Sequence, residues 1–387
     1  MCTGTRPLSL QSLPPVSPTT PPRSQTTLKP TLPAHNSTAG TPLYIACATN
    51  GSRSRSRSRN RSPDDYQSTL QALNSKGRVP RKSLGQHYML NSDINEQLAS
   101  AARVEEGDVV LEIGPGTGSL TNVLLNAGAF VLAIEKDPYM ASLVSERFAS
   151  TERFKKTNNL GRRASHLGEG VSHNLKRSFK ASEKITFSKV LKEDFVKCHI
   201  HSHMKLLLGS KKSLDHPKSR YAKVVSNIPF NISTEVVKLL LPMGDIFSEV
   251  VLLLQEETAV RLVQSSLRTS EYRPINIFVN FYSDPEYKFK VPRTNFFPQP
   301  NVDAAVVIFK LKQAADYPRV SSTKSFFSMV NSAFNGKRKM LRKSLQHICT
   351  SIEIEEALGS VGLPATSRPE ELTMDDFVKL HNLIVKV

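Results

Sequence analysis

Cysteine is scarce in this chain and scattered through it. The four residues, Cys2, Cys47, Cys198 and Cys349, form no CxxC pair. That spacing suggests neither a disulfide framework nor a structural zinc site, and free thiols fit a reducing compartment. Long apolar runs are missing as well. No stretch reaches the roughly 18 consecutive apolar residues of a membrane-spanning helix, so no membrane role is expected. Acid is missing from the first 63 residues, which carry eight Lys or Arg and end just before Asp64. What is present suffices for a buried core. The 387 residues, 39 % of them hydrophobic, allow one large or two modest domains.

The formal net charge of +18 points towards polyanions. Its distribution tempers that reading. The acid-free leader holds eight of these charges, and the segment 153–189 holds eight more, with ten basic residues against two Glu. The rest of the chain is close to neutral, so nucleic-acid binding must be argued from local patches. The leader is rich in Ser, Thr and Pro and has no apolar period. Pro14, Pro15, Pro18, Pro21 and Pro22 forbid the early amphipathic helix of a mitochondrial presequence. A chloroplast transit peptide fits better, with mitochondrial import as the alternative. The Ser-Arg alternation over 52–59 also fits an RS-type RNA-binding tail or a solvated linker.

Order is expected from about residue 78. Residues 109–113 read as a buried strand, 119–127 as a helix and 130–134 as the next strand. That βαβ unit implies a doubly wound α/β sheet. Further strands are expected at 222–226, 250–254 and 304–309. A polar, Pro-containing stretch over 313–318 precedes a helical remainder. Three parts follow: 1–77, a transit peptide and disordered linker; 78–312, a Rossmann-like domain; and 313–387, a small helical domain. Residues 156–188 are basic and without a clean period. They read as a disordered loop, an RNA-contacting insertion or translated intron sequence.

Between the first strand and helix lies Gly114-Pro115-Gly116-Thr117-Gly118. Glycine tolerates positive φ and lets a ligand approach the backbone, and the N–H groups at the helix start then face that ligand. Glu135 ends the next strand, where a carboxylate can accept both hydroxyls of a ribose. Asp194 follows a third strand and could accept from an adenine amino group, or merely cap a helix. These features alone leave a nicotinamide enzyme and a methyltransferase both open.

Asn227-Ile228-Pro229-Phe230 is the sharpest signature. The N6 amine of adenine is a poor nucleophile, because its lone pair is delocalised into the ring. The Asn227 side-chain oxygen and a following main-chain carbonyl can accept both amine hydrogens, which aims the lone pair at a sulfonium methyl. Pro229 fixes the loop's φ. Phe230 can stack on the base, worth about 1–3 kcal/mol. An ordinary turn is the bland alternative. No Ser/His/Asp or Cys/His triad is evident. None is needed, since proximity and orientation supply most of the acceleration in such a transfer.

Taken together, the residues from Arg81 to Met89, Leu111 to Gly118, Asn227 to Thr234, Phe297 to Asp303 and Ala333 to Lys339 resemble the KsgA-type ribosomal RNA adenine N6,N6-dimethyltransferases, plastid branch. The resemblance implies a Rossmann-like S-adenosylmethionine-dependent methyltransferase domain with a small helical C-terminal domain. It implies two adjacent adenosines in the 3′-terminal hairpin of small-subunit rRNA as substrate, a pre-30S particle as partner, and action as a monomer. Carried over by position, the cofactor residues are His87, Met89, Gly114, Glu135, Asp194 and Asn227, with Gly116 and Gly118 added from the loop. His87 stands where the family commonly has Asn, and Phe230 where it has Tyr.

Residues 335–348 read as a basic amphipathic helix. Leu341, Leu345 and Ile348 form its apolar stripe, and Lys337, Arg338, Lys339, Arg342 and Lys343 its basic face. Arg81 and Lys82 could guide the same RNA. Cys198, His199, His201 and His203 suggest a metal at first, but no second cluster at nearby spacing completes a tetrahedral set, so no metal is assigned. A non-catalytic organelle nucleic-acid-binding or transcription factor on the same fold is the competing function.

Overall fold

The computed structural model describes residues 71, 80–81, 84–149, 189–212, 220–264, 266–336 and 339–385. The leader apart from residue 71, the 156–188 segment, Lys82, Lys337 and Arg338 lie outside them. The chain runs through β1 (Tyr88–Met89), α1 (Ser92–Ala101), β2 (Val109–Ile113), α2 (Ser119–Asn126), β3 (Phe130–Glu135), α3 (Pro138–Phe148) and β4 (Lys189–Lys192). All five residues of β2 are buried, as in a strand covered on both faces. Helix starts follow local chemistry. Asn91 caps α1 by accepting the Asp93 N–H, and Asp137 caps α3 by accepting the Tyr139 N–H, with Pro138 in the first turn.

After α4 (Ile200–Lys212) come β5 (Ala222–Asn227), α5 (Ser233–Leu240), β6 (Phe247–Gln255), α6 (Glu256–Gln264), α7 (Pro274–Tyr282), β7 (Ser283–Val291), β8 (Phe296–Phe297) and β9 (Ala304–Leu311). Seven strands form one sheet in the order β4-β3-β2-β5-β6-β9-β7. Neighbours from β4 through β6 pair in parallel, whereas β9 runs antiparallel to both β6 and β7. The expected doubly wound sheet is therefore present, with a reversed strand near one edge and an additional strand, β7, outside it. The chain leaves β2 towards β3 and β4, then returns to lay β5 on the other flank. Such a switch point opens a crevice at the carboxyl ends of the strands. A separate two-stranded ribbon pairs β1 with β8, Tyr88 opposite Phe297.

The C-terminal part comprises α8 (Thr323–Ala333), α9 (Leu341–Ser344), α10 (Ser351–Val361) and α11 (Met374–Ile384). Its core is continuous with that of the sheet. Phe281 on α7 meets Phe326 and Phe327 on α8 at ring-centroid distances of 5.3 and 5.1 Å. The Tyr272 hydroxyl donates to the Leu372 carbonyl across the same junction.

The expected helix over 335–348 is corrected. Only Leu341–Ser344 is helical there. Gly336 turns the backbone to φ +121°, and Met340 is extended. The apolar spacing still has meaning, because Leu341 and Leu345 are fully buried. Ile348 instead lies exposed in the turn that follows.

Candidate active site

The cleft sits at the carboxyl ends of β2, β3 and β5. The backbone first makes the loop possible: Gly114, Gly116 and Gly118 have φ of +67°, +57° and +82°. A Cβ on Gly116 would stand 3.1 Å from the Tyr88 ring, so this turn is also packed from above by β1. Gly114 and Gly116 line the cleft. Gly118 does not; a Cβ there would meet Phe148 at 2.8 Å, which makes it a packing position between α2 and α3.

Glu135 ends β3 with its carboxylate buried against the same loop. Its two oxygens accept the Gly116 N–H at 3.3 Å and the Asp137 N–H at 2.8 Å. A carboxylate has lone pairs to spare beyond two such bonds, so ribose hydroxyls can still be accepted. Burial raises the Glu135 pKa, while the backbone N–H groups of Asp137 and Gly116 oppose the rise. Behind it, Glu112 is wholly buried and accepts the Thr121 hydroxyl at 2.6 Å. Desolvation lifts its carboxyl to about 8.

Asp194 lines the same cleft as the glycine loop. It caps a short 3-10 turn through the Val196 N–H and pairs with Lys136 at 2.9 Å. That hydrogen bond holds its pKa below the usual carboxylate range. The two readings of Asp194 are thus compatible: it caps, and it lines the cleft.

Asn227 is the last residue of β5, opposite Leu253 of β6. Ile228, Pro229 and Phe230 continue along the cleft wall. A Cβ on Gly114 would lie 3.7 Å from Pro229 Cδ, so the glycine loop and the Asn-Ile-Pro-Phe loop run side by side with room for little more than a methyl group between them at this point. Ser226, invisible to motif reading, fixes their spacing. Its Oγ accepts the Ile113 N–H at 2.8 Å and so ties the end of β2 to the end of β5.

The segment before β1 folds over this cleft. His87 Nδ1 lies 2.6 Å from the Pro298 carbonyl, and its ring stacks on Phe230. Met89 is buried in the wall. Gln86 donates to Asp137 and accepts the Arg81 N–H, which sets Arg81 at the rim. Tyr88 Oη and both amide atoms of Asn95 are buried in the cleft wall without a hydrogen-bond partner among the described residues. Tyr88, Gln86 and Glu112 fall inside the family motifs without a role the motif states, and Asn95 and Ser226 were not legible as site residues, since isolated polar side chains in apolar patterns carry no motif.

Of the basic residues, Lys339 and Lys343 are exposed. Arg342 pairs with Glu355 of α10 at 2.8 Å. The sequence window around Arg342 held no acid, but the fold supplies one.

Glycine loop and strand-end carboxylate alone would suit several nucleotide cofactors. A second loop, Asn227 to Phe230, lines the same cleft as the glycine loop and Glu135. Fold and site together define a Rossmann-like, S-adenosylmethionine-dependent methyltransferase. The chain belongs to the ribosomal RNA adenine dimethylase family, which it matches over residues 78–159 and 168–386. It is 69 % identical over 325 residues to the chloroplastic ribosomal RNA small subunit methyltransferase of Arabidopsis thaliana, covering 84 % of each chain. Identity to ribosomal RNA small subunit methyltransferase A of Protochlamydia amoebophila is 31 %, over 80 % of this chain and 93 % of that one. Among solved structures, a dimethyladenosine transferase from Plasmodium falciparum superposes with a TM-score of 0.54 at 22 % identity. That match covers 76 % of this chain and 95 % of the other.

Proposed function

We propose that this enzyme dimethylates N6 of two adjacent adenosines in the 3′-terminal hairpin of small-subunit rRNA, on a pre-30S particle in the plastid. It does so as a monomer. The observation that carries this reading is the cleft that the two loops share. Asn227 to Phe230 open onto the same cleft as Glu135 and the glycine turn, so one base can meet one methyl donor there. Plastid action rests on the acid-free leader and on the name of the Arabidopsis relative.

The residues of the cleft fit S-adenosylmethionine. Glu135 accepts the ribose hydroxyls, Asp194 the adenine amino group, and Gly114 and Gly116 let the ligand approach the main chain. The unpartnered Asn95 amide and Tyr88 hydroxyl offer further polar atoms in the wall. When bound, the cofactor supplies an electrophilic methyl on a sulfonium with a neutral leaving group. Asn227 accepts a hydrogen of the N6 amine through its side-chain oxygen and aims the nitrogen lone pair. Phe230 holds the base by stacking, with His87 behind it. Residues 313–387 act as an RNA-contacting domain, with Lys337, Arg338, Lys339 and Lys343 on phosphates and Arg81 and Lys82 at the cleft rim.

Primer extension on small-subunit rRNA from plastids lacking the protein tests this function. Dimethylated adenines stop reverse transcriptase. The paired stop should vanish in the mutant and return when purified enzyme and S-adenosylmethionine are added to the immature particle. Persistence of the stop in the mutant would overturn the reading. Purified protein that binds rRNA but no S-adenosylmethionine would favour the non-catalytic alternative.

A further inference from the structure

The sequence places Glu193, Cys198 and His203 within one short stretch, 193–203, but no recognised ligand spacing joins them. Folding brings them together. Glu193, in the turn after β4, comes back against the start of α4, so that a carboxylate oxygen of Glu193, Sγ of Cys198 and a ring nitrogen of His203 all lie within 4.8 Å of one another. The local backbone explains the convergence. The 3-10 turn Phe195–Lys197 reverses the chain between Glu193 and Cys198, and the His203 N–H donates to the His199 carbonyl as α4 begins.

We propose that Glu193, Cys198 and His203 form a zinc-type divalent metal site beside the cofactor cleft, with the fourth position open to water. The donor set carries the choice of metal. Thiolate and imidazole with one carboxylate suit zinc, whereas magnesium and calcium take oxygen ligands. Zinc bonds of roughly 2.0–2.3 Å in a tetrahedron put ligand atoms about 3.3–3.8 Å apart. The three atoms therefore need to close by at most about 1.5 Å. Glu193 is exposed while Cys198 and His203 are half-buried, so an ion has a path from solvent to a partly shielded site.

Glu193 immediately precedes Asp194, so a bound ion would clamp the turn that carries this cleft residue. The role inferred is structural: the ion stiffens the β4–α4 turn and takes no part in methyl transfer.

The test is titration of the full-length, metal-stripped protein with Zn2+ against a chromophoric chelator, and with Co2+ followed by absorbance. One equivalent should bind, and Co2+ should give a thiolate charge-transfer band. C198S should abolish that band, whereas C349S should keep it. H203A and E193Q should each weaken Zn2+ binding by at least tenfold while the variants still unfold cooperatively. Mg2+ should not compete. No stoichiometric Zn2+ binding, or binding and a band that survive C198S and H203A, would overturn the site. Because the readout needs neither rRNA nor cofactor, its failure is separable from failure of the proposed function.

Discussion

The imidazole of His87 lies on the ring of Phe230, with centroids 5.8 Å apart and planes inclined by 27°. Its Nδ1 is held at the same time by the Pro298 carbonyl. One side chain thereby joins the segment before β1, the loop after β8 and the ring assigned to the target base. Phe230 is braced from another side by Phe296, edge-on at 6.4 Å. On the proposed role of Phe230 in holding the target base, three variants should behave differently. Phe230→Ala should weaken capture of the target adenosine, raising KM for RNA, because stacking worth about 1–3 kcal/mol is lost. His87→Ala should raise KM more mildly, by freeing the Phe230 ring. Phe230→Tyr should retain activity. A Phe230→Ala enzyme with unchanged KM would remove the ring from base recognition.

Asn227 should act on the chemical step. In the proposed mechanism its oxygen accepts from an amine that becomes tetrahedral only on the way to reaction, and interactions that strengthen in the transition state change the rate constant when removed. By analogy with oxyanion-hole donors, Asn227→Ala should slow single-turnover methylation about 100- to 1,000-fold. RNA affinity should be nearly unchanged. A full-speed variant in rapid-quench measurements would move the reaction centre elsewhere.

Gly85 has φ of +62°, and a Cβ there would come within 2.9 Å of Asn231 Oδ1 and 3.4 Å of Pro229 Cβ. Gly85→Ala combines a left-handed backbone, costing about 1–2 kcal/mol for other residues, with a push on the reaction loop. A lowered Tm accompanied by a lowered kcat is expected. Calorimetry and a methylation assay together check it. A variant equal to wild type in both would show that the loop accommodates a side chain.

Glu112 makes stability depend on pH. Its folded pKa of about 8 lies above that of a carboxyl in the unfolded chain, so the folded state binds more protons between the two values. Its contribution is fully present below the unfolded pKa of about 4.3 and is lost as pH rises through about 8. Glu112→Gln keeps a neutral group that accepts from Thr121. Its Tm should therefore fall less than that of wild type between about pH 5 and about pH 9. Parallel Tm profiles would mean that Glu112 ionises at an ordinary pH.

The basic residues near α9 divide into two kinds. Lys339→Ala with Lys343→Ala should flatten the salt dependence of rRNA binding by about one unit for each lost phosphate contact. Arg342→Ala should instead act on stability, by roughly 0–1 kcal/mol, since its partner is Glu355 and the pair is a third exposed. Filter binding across a salt series separates them. If Arg342→Ala changes the slope as much as the lysines do, the ion pair opens on RNA.

Strand β2 and the glycine turn after it were legible because their determinants are local. A run of buried β-branched and aliphatic residues and three closely spaced glycines state their geometry within ten residues. The element over 335–348 was not legible in the same way. Its apolar spacing predicted the burial of Leu341 and Leu345, but Gly336 and the extended Met340 break the backbone that the period assumes. Strand β7 escaped for a related reason. Its pattern is half-exposed and polar, because an edge strand has only one neighbour to bury it.

The sequence by itself determined the βα units, the order of motifs along the chain and the residue types required for the proposed chemistry. Those are properties of short segments, where backbone freedom and apolar period act within a few residues. The tertiary structure alone decided which distant residues meet. The switch point between β2 and β5 brings Gly114 near Pro229, and the β1–β8 ribbon brings His87 to Phe230. Packing of one continuous core also assigned Arg342 to an acid ten or more positions away rather than to solvent. Such pairings depend on how buried faces close over each other, and no local pattern carries that information.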